Sequence, residues 1–304
     1  MDNITQLTDE LHIVALKQNL QGFDKFINSL VYKGDKTFLV DVGTLNSMPI
    51  LLKSLETLDV KHIDAILITH IHIDHAGGAG ELIKHFPDTP VVVHQKGIKH
   101  LIDPEKLWQG SLKTLGHMAE AYGEIIAVPE KNLVDAAYFS DFGITPFMTP
   151  GHAPHHVSYL HKDIMYAGEV AGVYFDKGGD DFYLRVATPP RFFMETSIES
   201  IDKLKEVEQA KACFGHYGMS SNPVKVYEKA KEQIYLWAEL IEGVLEKQKD
   251  PDFIKETTDL LLAKDPMMKG IEKFGEDFIA RERGFIKNSI LGFTGFFNEK
   301  NEGK

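Results

Sequence analysis

The chain has 304 residues, 43% of them hydrophobic and 26% charged, which supports a sizeable core under an ordinary solvated surface and excludes a disordered chain. Its 33 Lys and Arg against 45 Asp and Glu leave a net charge of −12. That balance argues against a dedicated nucleic-acid binder, whose affinity comes from cations that neutralise phosphates. The single cysteine, Cys213, excludes an internal disulfide and a thiolate-rich zinc site.

The first residues, MDNITQLTDELHIV, are polar and acidic where a secretory signal would be basic and then apolar, and no apolar run is long enough to cross a bilayer. The expectation is a soluble cytoplasmic protein. Two strand-like runs follow, FINSLVY and TFLVDVG, joined by Lys33-Gly34-Asp35-Lys36, a hairpin-turn signature. Pro49 to Leu58 reads as a helix, Asp64 to Thr69 as a buried strand, Gly77 to Phe86 as a helix and Pro90 to His94 as a strand. Residues 143–149 and 157–168 read as two further strands. Tyr183, Arg185, Pro189, Pro190, Arg191, Phe192 and Phe193 form an aromatic and basic loop. Such a loop can wall a substrate pocket and offer an arginine to a carboxylate.

From Asn222 the pattern changes. Asn222-Pro223 is a helix start, an N-cap followed by proline at the first helical position. Behind it Tyr227, Ala230, Ile234, Trp237, Ile241 and Val244 recur at spacings of three and four, one apolar helix face. Asp250-Pro251 reads as its stop, with more helix to about Phe297. The expected organisation is an α/β body over 1–221 and a helical appendage over 222–304. Phe285, Phe293, Phe296 and Phe297 suit a pocket cap, a homodimer contact or core.

The densest chemistry is Thr69-His70-Ile71-His72-Ile73-Asp74-His75-Ala76-Gly77-Gly78. Three imidazoles and a carboxylate lie within six positions at the end of an apolar strand, and such donors suit Zn²⁺, Fe²⁺ or Mn²⁺. In extended backbone His70 and His72 point the same way, because side chains alternate with period two. Asp74 and His75 follow the strand and can turn toward a second ion.

This segment resembles the signature of the metallo-β-lactamase superfamily, which spans glyoxalase II-type thioesterases, lactonases, nucleases and flavodiiron proteins. Further motifs match in order along the chain: Thr149-Pro150-Gly151-His152, Ile164 to Glu169, Phe214-Gly215-His216, and upstream Phe38 to Gly43, whose Asp41 would orient the ligand loop. The resemblance covers about residues 10 to 220 and implies an αββα sandwich with a C-terminal helical appendage. It further implies two divalent ions, zinc first with iron or manganese as alternatives. His70, His72 and His152 would hold one and Asp74, His75 and His216 the other, with Glu169 bridging. Glu169 departs from the family's usual Asp.

By that resemblance the expected function is hydrolysis of a small-molecule ester, thioester or lactone. A metal-bridging hydroxide would attack the carbonyl, and Asp74 would be the catalytic residue that orients it. No Gly-x-Ser-x-Gly motif supports a covalent route. An iron-dependent redox enzyme and a metal-binding sensor with little turnover are the alternatives, and the charge disfavours a nuclease. His155 and His156 suit outer hydrogen-bond donors, substrate contacts or a structural turn, and Cys213 a buried strand position. The helices after Gly218 are expected to set selectivity more than metal binding, with Arg185 or Arg191 contacting substrate.

Overall fold

The computed structural model describes residues 3–178, 181–190, 192–246 and 252–302. Arg191 and the expected helix stop at Asp250-Pro251 lie outside the described residues. Strands β1 (Ile4–Gln6), β2 (Leu11–Ala15), β3 (Asn28–Lys33), β4 (Thr37–Val40), β5 (Ala65–Leu67), β6 (Val91–Val93) and β7 (Leu133–Asp135) form one sheet in that order. Its pairings are antiparallel as far as β4 and parallel beyond it. Next come β8 (Ile144–Met148), β9 (Val157–His161), β10 (Ile164–Gly168), β11 (Val173–Gly178), β12 (Asp181–Arg185), β13 (Lys211–Phe214) and β14 (Met219–Ser220). Five of these make a second sheet in the order β14-β13-β10-β9-β8, and β11 with β12 is a separate hairpin.

Period-two alternation explains the layers. Leu11 and Ile13, Leu30 and Tyr32, Phe38 and Val40, and Ala65 and Leu67 share one buried cluster with Val157, Tyr159, Ile164 and Tyr166. The two sheets therefore face each other. The intervening Val14, Val31, Leu39, Ile66 and Met165 point outward into a second cluster that includes Leu51, Leu55, Leu82 and Ile83 of the covering helices. Each sheet is buried on one face by its partner sheet and on the other by helices, an αββα sandwich. The helices are α1 (Met48–Thr57), α2 (Ile73–Ala76), α3 (Ala79–His85), α4 (Gln95–Ile102), α5 (Glu105–Leu115), α6 (His117–Tyr122) and α7 (Met194–Lys205).

Three helices follow the sandwich: α8 (Pro223–Leu245), α9 (Phe253–Lys264) and α10 (Glu276–Glu302). Asn222 caps α8 through its side-chain oxygen, which accepts from Lys225 N at 3.2 Å. The face from Tyr227 to Val244 is buried as its spacing requires. Asp265, at the end of α9, is wholly buried and accepts from Gln233 Nε2 at 2.6 Å and Trp237 Nε1 at 2.7 Å, which joins α8 to α9.

Three sequence expectations need correction. Residues 157–168 are a hairpin of two strands, β9 and β10, because Lys162 adopts a left-handed φ of 54° and reverses the chain. The region read as loop from Tyr183 is strand through Arg185. Arg185 lines the cavity, but its charge is already paired and not free for a substrate carboxylate. It is buried, and its Nε donates to Glu282 Oε2 of α10 at 2.6 Å, with Tyr183 OH donating to the same oxygen at 2.8 Å. A cut after Gly218 would also remove Glu282, the partner of this buried charge. Among the described residues no helix is long and apolar enough to cross a membrane.

Candidate metal centre

The parallel pairs β4–β5 and β10–β13 end on one edge of the sandwich, and the chemistry gathers there. Asp41 follows β4, His70 follows β5, Glu169 follows β10 and His216 follows β13. Asp41 holds a positive φ of 55°, rare for a residue with a side chain. From that position its carboxylate accepts from Thr69 N, Thr69 Oγ1 and His75 Nδ1, each at 2.8 Å. The buried carboxylate thereby fixes both ends of the His70–His75 loop. His75 donates its Nδ1–H to that carboxylate, which leaves Nε2 for the cavity. The helix expected from Gly77 to Phe86 is α3, and a separate one-turn helix, α2, precedes it from Ile73 with Asp74 and His75 inside it.

All seven expected residues converge. His70, His72, His152 and Glu169 form one group and Asp74, His75 and His216 a second, the candidate ligand atoms within each lying no more than 4.8 Å apart. Glu169 stands between the groups. Its Oε1 is 2.9 Å from His216 Nε2, and its Oε2 is 3.0 Å from His152 Nε2, 3.4 Å from His70 Nε2 and 3.5 Å from His75 Nε2. Carbonyl oxygens orient two of the imidazoles from behind, Ala187 O at 2.9 Å from His152 Nδ1 and Phe26 O at 3.0 Å from His216 Nδ1.

The donor set fits divalent metal. His70 Nε2 and His75 Nε2 are buried and make no hydrogen bond, an arrangement that costs on the order of 1–3 kcal/mol per atom unless another partner satisfies it. Burial, with the neighbouring imidazoles, holds His70 and His72 well below the ordinary histidine range, so both are neutral and able to ligate. At His75 and His152 burial opposes protonation, but Asp74 and Asp41 beside the first and Glu169 beside the second overcome it and raise both. Protons on those rings and a bound cation compete for the same carboxylates.

His156 is buried behind the site and not in it. Its Nε2 accepts from Glu169 N at 3.0 Å and its Nδ1 lies 2.9 Å from Thr149 Oγ1. Gly168, at φ +58°, has no room for a Cβ, which would collide with the His156 ring. His155 faces the cavity, its pKa pushed down to about 4 by burial and then by His152. Cys213 lies buried in β13 with its thiol pushed up to about 12 by burial, as a structural cysteine should be.

The metal-binding cluster opens into a cavity of about 680 Å³. Phe26, Tyr122 and Phe285 line it, together with residues of α4 and α5 for which the sequence reading had no element. Leu107, Ser111, Thr114 and Leu115 do carry helical spacing, but nothing local says which way that face points.

A model of the metallo-beta-lactamase superfamily matches residues 23–216. The chain belongs to the metallo-β-lactamase superfamily. It is 28% identical over 223 residues to the metallo-beta-lactamase fold-containing protein ST1585 of Sulfurisphaera tokodaii, a match covering 70% of this chain and 80% of that one. It is 30% identical over 155 residues to the probable metallo-hydrolase MJ0888 of Methanocaldococcus jannaschii, covering 51% and 72%. A hydroxyacylglutathione hydrolase of Pectobacterium atrosepticum is 26% identical over 202 residues, covering 66% and 64%. The crystal structure of ST1585 superposes with a TM-score of 0.70 at 24% identity, covering 94% of this chain and 99% of that one, which shows the shared fold.

In this superfamily chain the Asp41 contacts carry a direct test. Asp41→Ala is expected to weaken zinc binding roughly 10–100-fold, because His75 loses the carboxylate that sets its tautomer and angle. Competition with a chromophoric chelator measures it, and an unchanged affinity would show that the loop holds its shape alone.

Proposed function

We propose that the chain is a binuclear metal-dependent hydrolase acting on a small-molecule ester, thioester or lactone. The observation that carries this is the position of Glu169, one oxygen toward His216 and the other toward His152, between two ligand groups that both face the cavity. In this reading His70, His72 and His152 would hold one ion and Asp74, His75 and His216 the other, with Glu169 available to both. The added methylene of Glu, relative to Asp, is accommodated because Glu169 follows Gly168 in its left-handed turn and is held back by His156.

Bound divalent ions, zinc first, supply Lewis acidity for a carbonyl and lower the pKa of water. The chain's own residues do the rest. Asp74 reaches the cavity from α2 with its carboxylate 3.7 Å from His75 Nε2, placed to accept a hydrogen bond from an attacking water and hold it toward the carbonyl carbon. Phe26, Phe285 and Tyr122 exclude bulk water from one side of the cavity. The hydroxyacylglutathione hydrolase among the relatives supports a thioester as a member of the substrate panel. In this reading the partner is a small molecule and not nucleic acid or membrane.

Elemental analysis of purified and zinc-reconstituted protein should find about two ions per chain, in keeping with two ligand groups. A panel of esters, thioesters, lactones, phosphodiesters and β-lactams should show turnover of a carboxyl ester, thioester or lactone, abolished by chelator and restored by zinc. No uptake of metal on reconstitution would sink the reading, and so would turnover restricted to phosphodiesters.

A further inference from the structure

The part of the cavity wall that no ligand residue occupies is made by α4 and α5. Lys96 and Lys99 of α4 and Lys106 of α5 all line it. Among the described residues none of the three forms an ion pair, although exposed lysines elsewhere do, Lys53 with Glu56 and Lys84 with Glu81 for instance. Among the described residues the only carboxylates lining the cavity are Asp74 and Glu169, both already in the metal-binding cluster, and Arg185 is neutralised by Glu282. Asp103 on the connection between the two helices and Glu105 at the start of α5 are not on the cavity wall. In a chain of net charge −12, this leaves a local positive field at one cavity.

The same wall has room. Leu107, Gly110, Ser111 and Thr114 of α5 share one helix face by their spacing, and all four line the cavity. No residue of α5 is buried, and a Cβ on Gly110 would meet nothing within 4 Å. A face with small side chains at its middle, unfilled by protein and flanked by lysines, suits an apolar chain that ends in a charge.

Building on the hydrolase reading, we infer that the substrate carries an anionic group remote from its scissile carbonyl, a carboxylate or a phosphate. Lys96, Lys99 and Lys106 bind that group, and the intervening chain lies along the Leu107–Thr114 face of α5. A lysine ammonium is a mobile point charge that takes either anion, so the wall selects charge and length and not a planar fork geometry.

Three substrates on the zinc-loaded enzyme test this: 4-nitrophenyl hexanoate, mono-4-nitrophenyl adipate, which differs from it by a terminal carboxylate, and hexanoyl-coenzyme A, which carries phosphates. In the variant Lys99→Glu/Lys106→Glu, the kcat/KM of an anionic substrate relative to the hexanoate ester should fall roughly ten- to a hundredfold, mostly through KM. Which of the two anionic substrates loses more identifies carboxylate or phosphate. The charge-matched control Lys53→Glu/Lys84→Glu, on α1 and α3 away from the cavity wall, should leave both ratios in place. Both ratios unchanged in the Lys99/Lys106 variant would overturn the anion site while the hydrolase reading stands. Gly110→Trp should raise KM for the hexanoate ester relative to 4-nitrophenyl acetate, and no change there would remove α5 from the chain path. If the wild type turns over none of the esters or thioesters, the hydrolase reading fails, and calorimetry then separates the two ideas. Tighter binding of adipate than of hexanoate, lost in the Lys99/Lys106 variant, keeps the anion site, whereas equal wild-type affinities overturn it.

Discussion

Glu282→Ala is expected to lower the unfolding free energy by about 3–5 kcal/mol, the usual cost of removing one partner of a buried ion pair. Glu282 is fully buried on α10 and accepts from Arg185 Nε, Tyr183 OH and both Arg281 Nε and Nη2. Its loss leaves two guanidinium groups in the interior without a counter-charge. The damage reaches the metal centre through two routes. Arg281 stacks over the Phe26 ring at 4.4 Å, and that ring lies 4.0 Å from the His216 ring. Ser289 of α10 donates to Val186 O at 2.8 Å, one residue before the Ala187 carbonyl that orients His152. The urea midpoint and the metal content should therefore fall together, and a stability change under about 1 kcal/mol would show that the charges find water instead.

The same residue predicts a pH dependence. Burial pushes Glu282 upward, but Arg185 and Arg281 overcome it and hold the carboxyl below its ordinary value. A depressed folded pKa stabilises the protein above the unfolded value, and that contribution disappears as pH falls through the folded one. Glu282→Gln keeps much of the shape without the charge, so its unfolding free energy should fall less steeply below the ordinary glutamate range than that of the wild type.

Asp74→Ala is expected to reduce turnover by at least on the order of a thousandfold on whichever panel substrate is cleaved, since the residue both ligates and positions the attacking water in the proposed reading. The fold should survive. The Asp74 carboxylate is part-exposed to the cavity, and its buried neighbour His75, 3.7 Å away, keeps Asp41 at 2.8 Å when Asp74 is removed. In that reading metal content should drop from about two ions per chain toward about one, because His75 and His216 with a shared Glu169 make a weaker site. Near-normal kcat with an intact circular-dichroism spectrum would refute the role assigned to Asp74.

The ligand-type residues were legible because metal chemistry demands particular atoms at particular spacings. His70, His72, Asp74 and His75 are close in sequence, and the strand before them is apolar without a break, so both the donors and their placement at a strand end are local facts. His152, Glu169 and His216 were legible only through the family resemblance, since nothing within a few residues of each announces a ligand. The misreadings share a cause. Whether 157–168 is one strand or two depends on a single left-handed residue, Lys162, that no apolar pattern marks. Arg185 looked free because its partner lies 97 positions away.

What the amino-acid order determined by itself is therefore the set of short-range decisions. It determined the alternating strands of the sandwich, the capped helix starting at Asn222-Pro223, and the donor cluster at the end of an apolar strand. These follow from backbone periodicity and side-chain chemistry within about ten residues. The tertiary structure alone decided how those pieces meet. The pairing of β10 with β13 sets Glu169 beside His216, and the packing of α10 turns Arg185 from a candidate substrate contact into a buried strut. The return of α4 and α5 over the strand ends faces Lys96, Lys99 and Lys106 toward the cavity. The physical reason is that burial and charge pairing are properties of surfaces brought together across long stretches of chain. A lysine's partner, or its lack of one, is set by what packs opposite it and not by its neighbours in sequence.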